Sequence, residues 1–363
     1  MALTITTTDT KKHNYSAGPC ILPQDVFQQA AQGIVNYQNS GLSIIEMSHR
    51  SKEFVAVMEE AQDLALDLLG LKGKGYKALF LQGGASMQFL MAAYNLLENK
   101  AGYINTGTWS QKAIKEAKAF GEVVELASSK DANYNYIPKN IVVPQGLDYV
   151  HYTSNNTIFG TQVKEFIQTD APLVADMSSD IFSRTIDFSK FSLIYAGAQK
   201  NMGPAGATLV VIKEDILGKV SRHIPSMLDY NVHISKDSMF NTPPVFATYT
   251  SMLTLRWLKE NGGVPAIEKQ NQAKASLLYN EIDNNALFNG FANKEDRSTM
   301  NATFTLADDS LKERFDTLWQ AAGISGLNGH RSVGGYRASM YNAMPLESVQ
   351  VLVEVMQELA RIA

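Results

Sequence analysis

Lys200 follows the apolar run Phe191–Ala198 and is surrounded by small residues: Ala196, Gly197 and Ala198 before it, Gly203, Ala205 and Gly206 after it. A lysine at the edge of a core loses solvation, which lowers its pKa and favours the neutral, nucleophilic amine. Small neighbours leave room beside it for something flat and large. Asp176 closes an earlier apolar run that begins at Pro172. A carboxylate at one strand end and a lysine after the next strand suit pyridoxal phosphate. The lysine makes the Schiff base, and the aspartate holds a proton on the pyridine nitrogen so that the ring can accept electrons. Taken singly, a loop lysine is most often solvated and such an aspartate is most often a cap or an ion-pair partner. The pair carries the reading.

Other residues extend this chemistry. Gln82-Gly-Gly-Ala-Ser86 separates a strand pattern from a helix pattern, where exposed backbone N–H groups could cradle a phosphate; a purely structural turn is the plainer reading. Trp109 could stack on a pyridine ring or simply pack beneath a helix. Ser154-Asn-Asn-Thr157 and Asn241-Thr242-Pro-Pro244 read as a polar loop and a turn. Arg50, Arg331 and Arg337 offer planar forks for carboxylate or phosphate, although exposed arginines are usually only solvated charges. Arg337 stands in an otherwise uncharged run from Ser332 to Pro345, which predicts a partly buried ion with a specific partner. His49 reads as structural.

The elements that must position these residues alternate. Strand patterns at Tyr76–Leu81, Ala101–Ile104, Gly121–Glu125, Leu147–Tyr152, Leu173–Ala175, Leu193–Tyr195 and Ala207–Ile212 are interleaved with helical ones. That alternation predicts an α/β fold with a mainly parallel sheet and helices on both faces. Ligands on such sheets gather at the carboxyl ends of the strands. Gly83-Gly84, Gly107-Thr108, Thr153 to Thr157, Asp176 and Lys200 all fall there. Pro23–Tyr37 and Ser51–Leu69 read as earlier helices, with Gly70 as the second one's stop. After Asn261-Gly-Gly263 the pattern shifts to a smaller α+β unit. The expected organisation is an arm over 1–16, a large domain over 17–260 and a small domain over 261–363.

The 363 residues are 45% hydrophobic and 19% charged, with a net charge of −4. This balance leaves no basic footprint for nucleic acid. Anionic ligands must be held by local clusters. Cys20 is the single cysteine, which fits a reducing compartment. No run approaches the ~20 apolar residues of a membrane helix, and the start lacks a secretory pattern. A cytoplasmic protein without a metal site or membrane partner is expected.

Eight blocks of sequence resemble the phosphoserine aminotransferases, pyridoxal-phosphate enzymes of class V in the aspartate-aminotransferase superfamily. They are Asn14-Tyr-Ser-Ala-Gly-Pro19, Ser48-His-Arg-Ser51, Leu81-Gln-Gly-Gly84, Gly107-Thr-Trp-Ser110, Asp176-Met-Ser-Ser179, Ala198-Gln-Lys-Asn201, Gly329-His-Arg-Ser-Val-Gly-Gly-Tyr-Arg-Ala-Ser339 and Tyr341-Asn-Ala-Met-Pro345. The resemblance implies the type I fold of such enzymes, with a seven-stranded sheet, and Lys200 and Asp176 as catalytic residues. It implies Ala85, Ser86 and Gln199 at the cofactor phosphate, Trp109 over the ring and Thr157 near the phenolic oxygen. Asn241 and Thr242 would reach that phosphate from a neighbouring subunit. Arg337 would bind the substrate α-carboxylate, while His330, Arg331 and a partner subunit's Arg50 hold the side-chain anion. Some relatives carry arginine where this chain has Ser86, so a contact made by that arginine is not expected here.

The implied reaction exchanges an amino group between L-glutamate and 3-phosphohydroxypyruvate, giving 2-oxoglutarate and O-phospho-L-serine in serine biosynthesis. A phosphorylated four-carbon analogue in pyridoxine biosynthesis is a further implied substrate. A homodimer with shared active sites follows from the same resemblance. A cysteine desulfurase would need a cysteine late in the chain, and Cys20 is poorly placed for that. A nucleotide-binding domain would need Gly-x-Gly-x-x-Gly after a strand, which is missing.

Overall fold

Seven strands form one sheet in the spatial order Tyr76–Leu81, Thr208–Lys213, Phe191–Gly197, Leu173–Asp176, Tyr149–Thr153, Lys100–Asn105, Glu122–Ser128. Only Thr208–Lys213 runs against its neighbours, so the sheet is mostly parallel, as the alternating pattern predicts. This arrangement comes from a computed structural model that describes residues 12–363. Residues 1–11 of the expected arm lie outside the described residues. His13–Asn14, at its end, pairs in parallel with Ile324–Ser325.

The central strands are apolar on both faces because helices cover both. One face buries Phe80, Val150, Ile194 and Val211 under the helices Lys52–Leu68 and Val245–Glu260. The other buries Leu79, Tyr103, Val174 and Val210 under Gly84–Leu96 and Thr108–Ala117. The sequence writes its own helix limits. Ser51 caps Lys52–Leu68 by accepting a bond from the Phe54 backbone N–H, and Gly70 follows the end with φ +64°.

A second core gathers the carboxyl-terminal part. The antiparallel strands Phe288–Gly290, Asn301–Leu306 and Tyr336–Ser339 pack with the helices Gly263–Asn284, Lys312–Ala321 and Leu346–Ile362. Tyr15 and Ile21 join this core, so the start of the chain is built into the unit formed by its end. The strand Phe288–Gly290, the hairpin of Asn155–Asn156 with Thr161–Gln162 and the helix Tyr230–Ser235 have no counterpart in the sequence reading. Each is too short for periodicity to register. Among the described residues, no helix is long and apolar enough to cross a membrane.

Candidate active site

Lys200 lies on the connection between the antiparallel strands Phe191–Gly197 and Thr208–Lys213. Its turn is knotted around the Ala198 carbonyl, which accepts from Lys200 N at 2.7 Å and Gly203 N at 2.9 Å. Gly203 is required there, since a Cβ would approach Ser251 Oγ to 2.4 Å. Lys200 is half-buried, and its Nζ donates to Thr157 Oγ1 at 3.1 Å. Loss of solvation holds its pKa below the ordinary lysine value, and the Arg337 charge acts in the same sense; Asp176, Cys20 and Asp180 oppose it. The amine is thereby prepared for nucleophilic work. The amino-terminal segment lies against this turn, with Cys20 Sγ donating to the Lys200 carbonyl at 2.7 Å.

Asp176 ends its strand beside Tyr195 and is buried. Its Oδ1 accepts from Ser178 N at 2.9 Å. Burial raises its pKa, while Ser178 and the nearby Lys200 lower it. A buried carboxylate held by one neutral partner is matched to a cationic group arriving from outside the chain.

The rest of the site fits pyridoxal phosphate by its donor chemistry. Gly83 (φ +92°) and Gly84 (φ +66°) turn the chain into the helix Gly84–Leu96. The N–H groups of Gly84, Ala85 and Ser86 therefore have no acceptor within the helix and can face an anion. Gln199 bends back over Gly197, where a Cβ would stand 2.7 Å from Gln199 Oε1. Trp109 begins the neighbouring helix, and its Nε1 is buried without a partner. Thr157 is buried at the strand ends and touches Lys200.

A basic group stands next to this pair. Arg337, on the strand Tyr336–Ser339, is half-buried with its Nε buried and unpartnered, and desolvation depresses its pKa. His330 has its pKa lowered first by burial, then by Arg337, Arg331 and Lys112. The loop carrying His330 and Arg331 folds tightly on itself: Gly329 N donates to Gly335 O at 2.9 Å, and a Cβ on Gly329 would strike Gly334 O at 2.0 Å. Val333 from the loop packs in the same apolar cluster as Trp109. Arg331 itself is exposed.

The structure thus brings Lys200, Asp176, Thr157, Gln199, Trp109, His330, Arg331 and Arg337 into one region, with Ala85 and Trp109 flanking one apolar cluster. Asn241 and Thr242 lie against Gln82, which leads into the Gly83–Gly84 turn. Arg50 is exposed beside His49. Asn241 Nδ2 donates to Gln82 Oε1 at 3.2 Å, and the Thr242 carbonyl accepts from Gln82 Nε2 at 2.9 Å, both at the surface.

The class-V aminotransferase family model matches residues 13–352. A phosphoserine aminotransferase of Flavobacterium psychrophilum is 69% identical over 351 residues, 96% of this chain and 99% of that protein. One from Bacteroides fragilis is 56% identical over 97% of this chain and 99% of its own. The chain belongs to the phosphoserine aminotransferases of class V. Solved structures agree. The phosphoserine aminotransferase of Bacillus circulans subsp. alkalophilus superposes with a TM-score of 0.94 at 45% identity, over 97% of this chain and 99% of that one. A pyridoxal-phosphate-bound phosphoserine aminotransferase from Trichomonas vaginalis gives 0.91 at 36% identity, over 96% and 100%.

Several residues of this aminotransferase site escape a reading of the sequence. Lys112 places its Nζ 4.5 Å from the centroid of the Trp109 ring and adds charge beside His330. The spacing of Trp109 and Lys112 on one helix is the signal that could have found it. Ser178, which orients Asp176, and Tyr341, next to Thr157, are revealed only by the packing.

Proposed function

We propose that this chain transfers the amino group of L-glutamate to 3-phosphohydroxypyruvate, giving O-phospho-L-serine and 2-oxoglutarate, as a pyridoxal-phosphate-dependent cytoplasmic homodimer. Membership of the phosphoserine aminotransferases supports transamination in serine biosynthesis. The phosphorylated four-carbon substrate of pyridoxine biosynthesis is a second candidate for the same pocket. The observation that carries the reading is the half-buried Lys200 amine, depressed by burial, with Asp176 and Arg337 in electrostatic reach.

Pyridoxal phosphate, when bound, supplies an electron sink for the pair of electrons left at the substrate α-carbon. Lys200 would be the group that holds the cofactor covalently, and its amine, once freed by substrate, would take the proton from the substrate α-carbon and deliver it to the cofactor carbon that carries the nitrogen. Asp176 presents its carboxylate to the ring nitrogen. Gly84, Ala85, Ser86 and Gln199 hold the phosphate, with Asn241 and Thr242 contributed across the subunit interface. Trp109 would support the ring, and Thr157 would hold the Lys200 amine while it is free of the cofactor. Arg337 takes the α-carboxylate that both substrates share. His330, Arg331 and a partner subunit's Arg50 take the far anion.

The test is a visible spectrum of the purified protein followed by titration with O-phosphoserine and with glutamate. Each should convert the bound cofactor to its aminated form, and alanine should not. Conversion by alanine but not by O-phosphoserine would overturn the substrate assignment. Asp176→Asn should retain cofactor and lose about 10²–10⁴-fold in kcat, since an amide cannot keep the ring nitrogen protonated; stopped-flow half-reactions measure this. An unchanged rate would mean that another acid faces the ring.

Shared sites have their own test. Mixing inactive Lys200→Ala and Arg50→Ala proteins should restore part of the activity, because a hybrid dimer carries one site with neither change. Subunit exchange proven by mass, with no activity returning, would overturn the contribution of Arg50 across the interface.

A further inference from the structure

The cations around the His330 turn have no acid to balance them. Arg184, Arg222, Arg256, Arg297 and Arg361 each stand in an ion pair with a carboxylate. Among the described residues, Arg331, Arg337 and Lys112 stand in none. A chain with a net charge of −4 does not lack acids. A cluster of one sign without them is suited to an anion from outside the chain.

Lys112 reaches this cluster from a different segment. It lies three residues after Trp109 on the same face of the helix Thr108–Ala117, with its Nζ 4.5 Å from the centre of the Trp109 ring. Gln111 Nε2 donates to Tyr134 Oη at 2.5 Å, which fixes this first turn on the apolar cluster of Tyr134, Ile158 and Phe159. Trp109 and Val333 both pack against that cluster, and Val333 N donates to the His330 carbonyl at 2.9 Å. The helix start and the His330 turn thus share one apolar base. His330 registers the result: burial first, then the charges of Arg337, Arg331 and Lys112, hold its pKa below the ordinary value. At neutral pH the imidazole is therefore an uncharged donor, and the positive charge comes from the arginines and Lys112.

We propose that Lys112 is a specificity-determining residue: its ammonium takes the third terminal oxygen of a phosphorylated substrate, an oxygen that glutamate does not have. This role rests on the two-substrate transamination proposed above. Glutamate and O-phosphoserine carry their far anion the same number of bonds from the α-carbon, at Cδ in one and at phosphorus in the other. They differ in what that centre presents. A carboxylate ends in two oxygens with a single charge, and a phosphate in three oxygens with a charge of about −1.5 to −2 at neutral pH. Planar arginine forks match the pair of oxygens common to both. A compact ammonium on a flexible stem suits the remaining one, and it can stay over the Trp109 ring while glutamate is bound.

The experiment compares the holoenzyme as wild type, Lys112→Met and Lys112→Arg. Methionine keeps an unbranched apolar stem against Trp109 without the charge, and arginine keeps the charge. Steady-state kcat/KM is measured with O-phosphoserine and with glutamate. Calorimetry gives Kd for 3-phosphoglycerate and for glutarate, which present the same two far anions and have no amino group to transfer. The visible band of the bound cofactor checks that each variant is loaded. Lys112→Met should lower kcat/KM with O-phosphoserine by about 10- to 100-fold, the range of one hydrogen bond to a charged group, and chiefly through KM. The loss with glutamate should be smaller, about threefold, from the weaker field alone. Binding of 3-phosphoglycerate should weaken by the larger factor and that of glutarate by the smaller. Lys112→Arg should recover most of the loss.

Equal losses with the two substrates overturn the proposal, and so does an unchanged kcat/KM with O-phosphoserine. A loss in kcat/KM without weaker binding of 3-phosphoglycerate overturns it too, since Lys112 would then act through Trp109 and the cofactor. A wild-type enzyme that reacts with glutamate and binds neither phosphorylated compound would instead overturn the substrate reading on which the role rests.

Discussion

Lys200→Ala should reduce turnover by about 10⁴-fold or more, because it removes both the covalent anchor and the proton carrier, and the second alone is worth about 10²–10⁴-fold. The purified variant should bind pyridoxal phosphate without the absorption band of the covalently held cofactor. Reduction with borohydride should then leave no label on the chain. Lys274 makes the comparison specific. It is also buried, with its pKa pulled down to about 7 by desolvation, yet its Nζ is occupied by the carbonyls of Met340 and Tyr341. Lys274 is spent on structure, and Lys200 is open to a ligand. A label found on Lys274 would reverse these roles.

The second large effect should separate the two ends of the substrate. Arg337 has a buried Nε without a partner, so its charge is incompletely satisfied until a carboxylate arrives. Losing one member of such a pair costs about 2–5 kcal/mol, or about 30- to 5,000-fold in kcat/KM. Arg337→Ala should show that loss with glutamate and O-phosphoserine alike, since both present the same α-carboxylate. Arg331 is exposed, so Arg331→Ala should cost less, about tenfold, and more with O-phosphoserine, whose phosphate has more charge and more acceptor oxygens. Steady-state kcat/KM for each substrate measures both. Equal losses in Arg331→Ala would remove its phosphate preference. A loss confined to one substrate in Arg337→Ala would exchange the two ends.

Local pattern carried much of this protein. Apolar runs of strand length, Ser51 before a helix and Gly70 after it, and glycines at the turn before Ala85 are all readable because each is decided within a few residues. Asp176 and Lys200 stood out for the same reason: a charged residue closing or following a buried run is a local anomaly. The parallel sheet then follows from alternation, and with it the shared edge where these strands end.

Tertiary structure decided what depends on meetings between distant segments. The antiparallel course of Thr208–Lys213 comes from the short turn around Lys200, which leaves no length for a crossover. Tyr15 and Ile21 enter the core of the carboxyl-terminal unit, although nothing in their neighbours points there. The hydrogen bonds around Asn301 are the sharpest case. Tyr341, Asn301 and Asn155 are ordinary polar residues in sequence, and their roles exist only because four separate segments converge. Sequence spacing says where a side chain may lie along its own strand or helix. The direction of a hydrogen bond is set by which donors have already been used, and that accounting closes only in the folded chain.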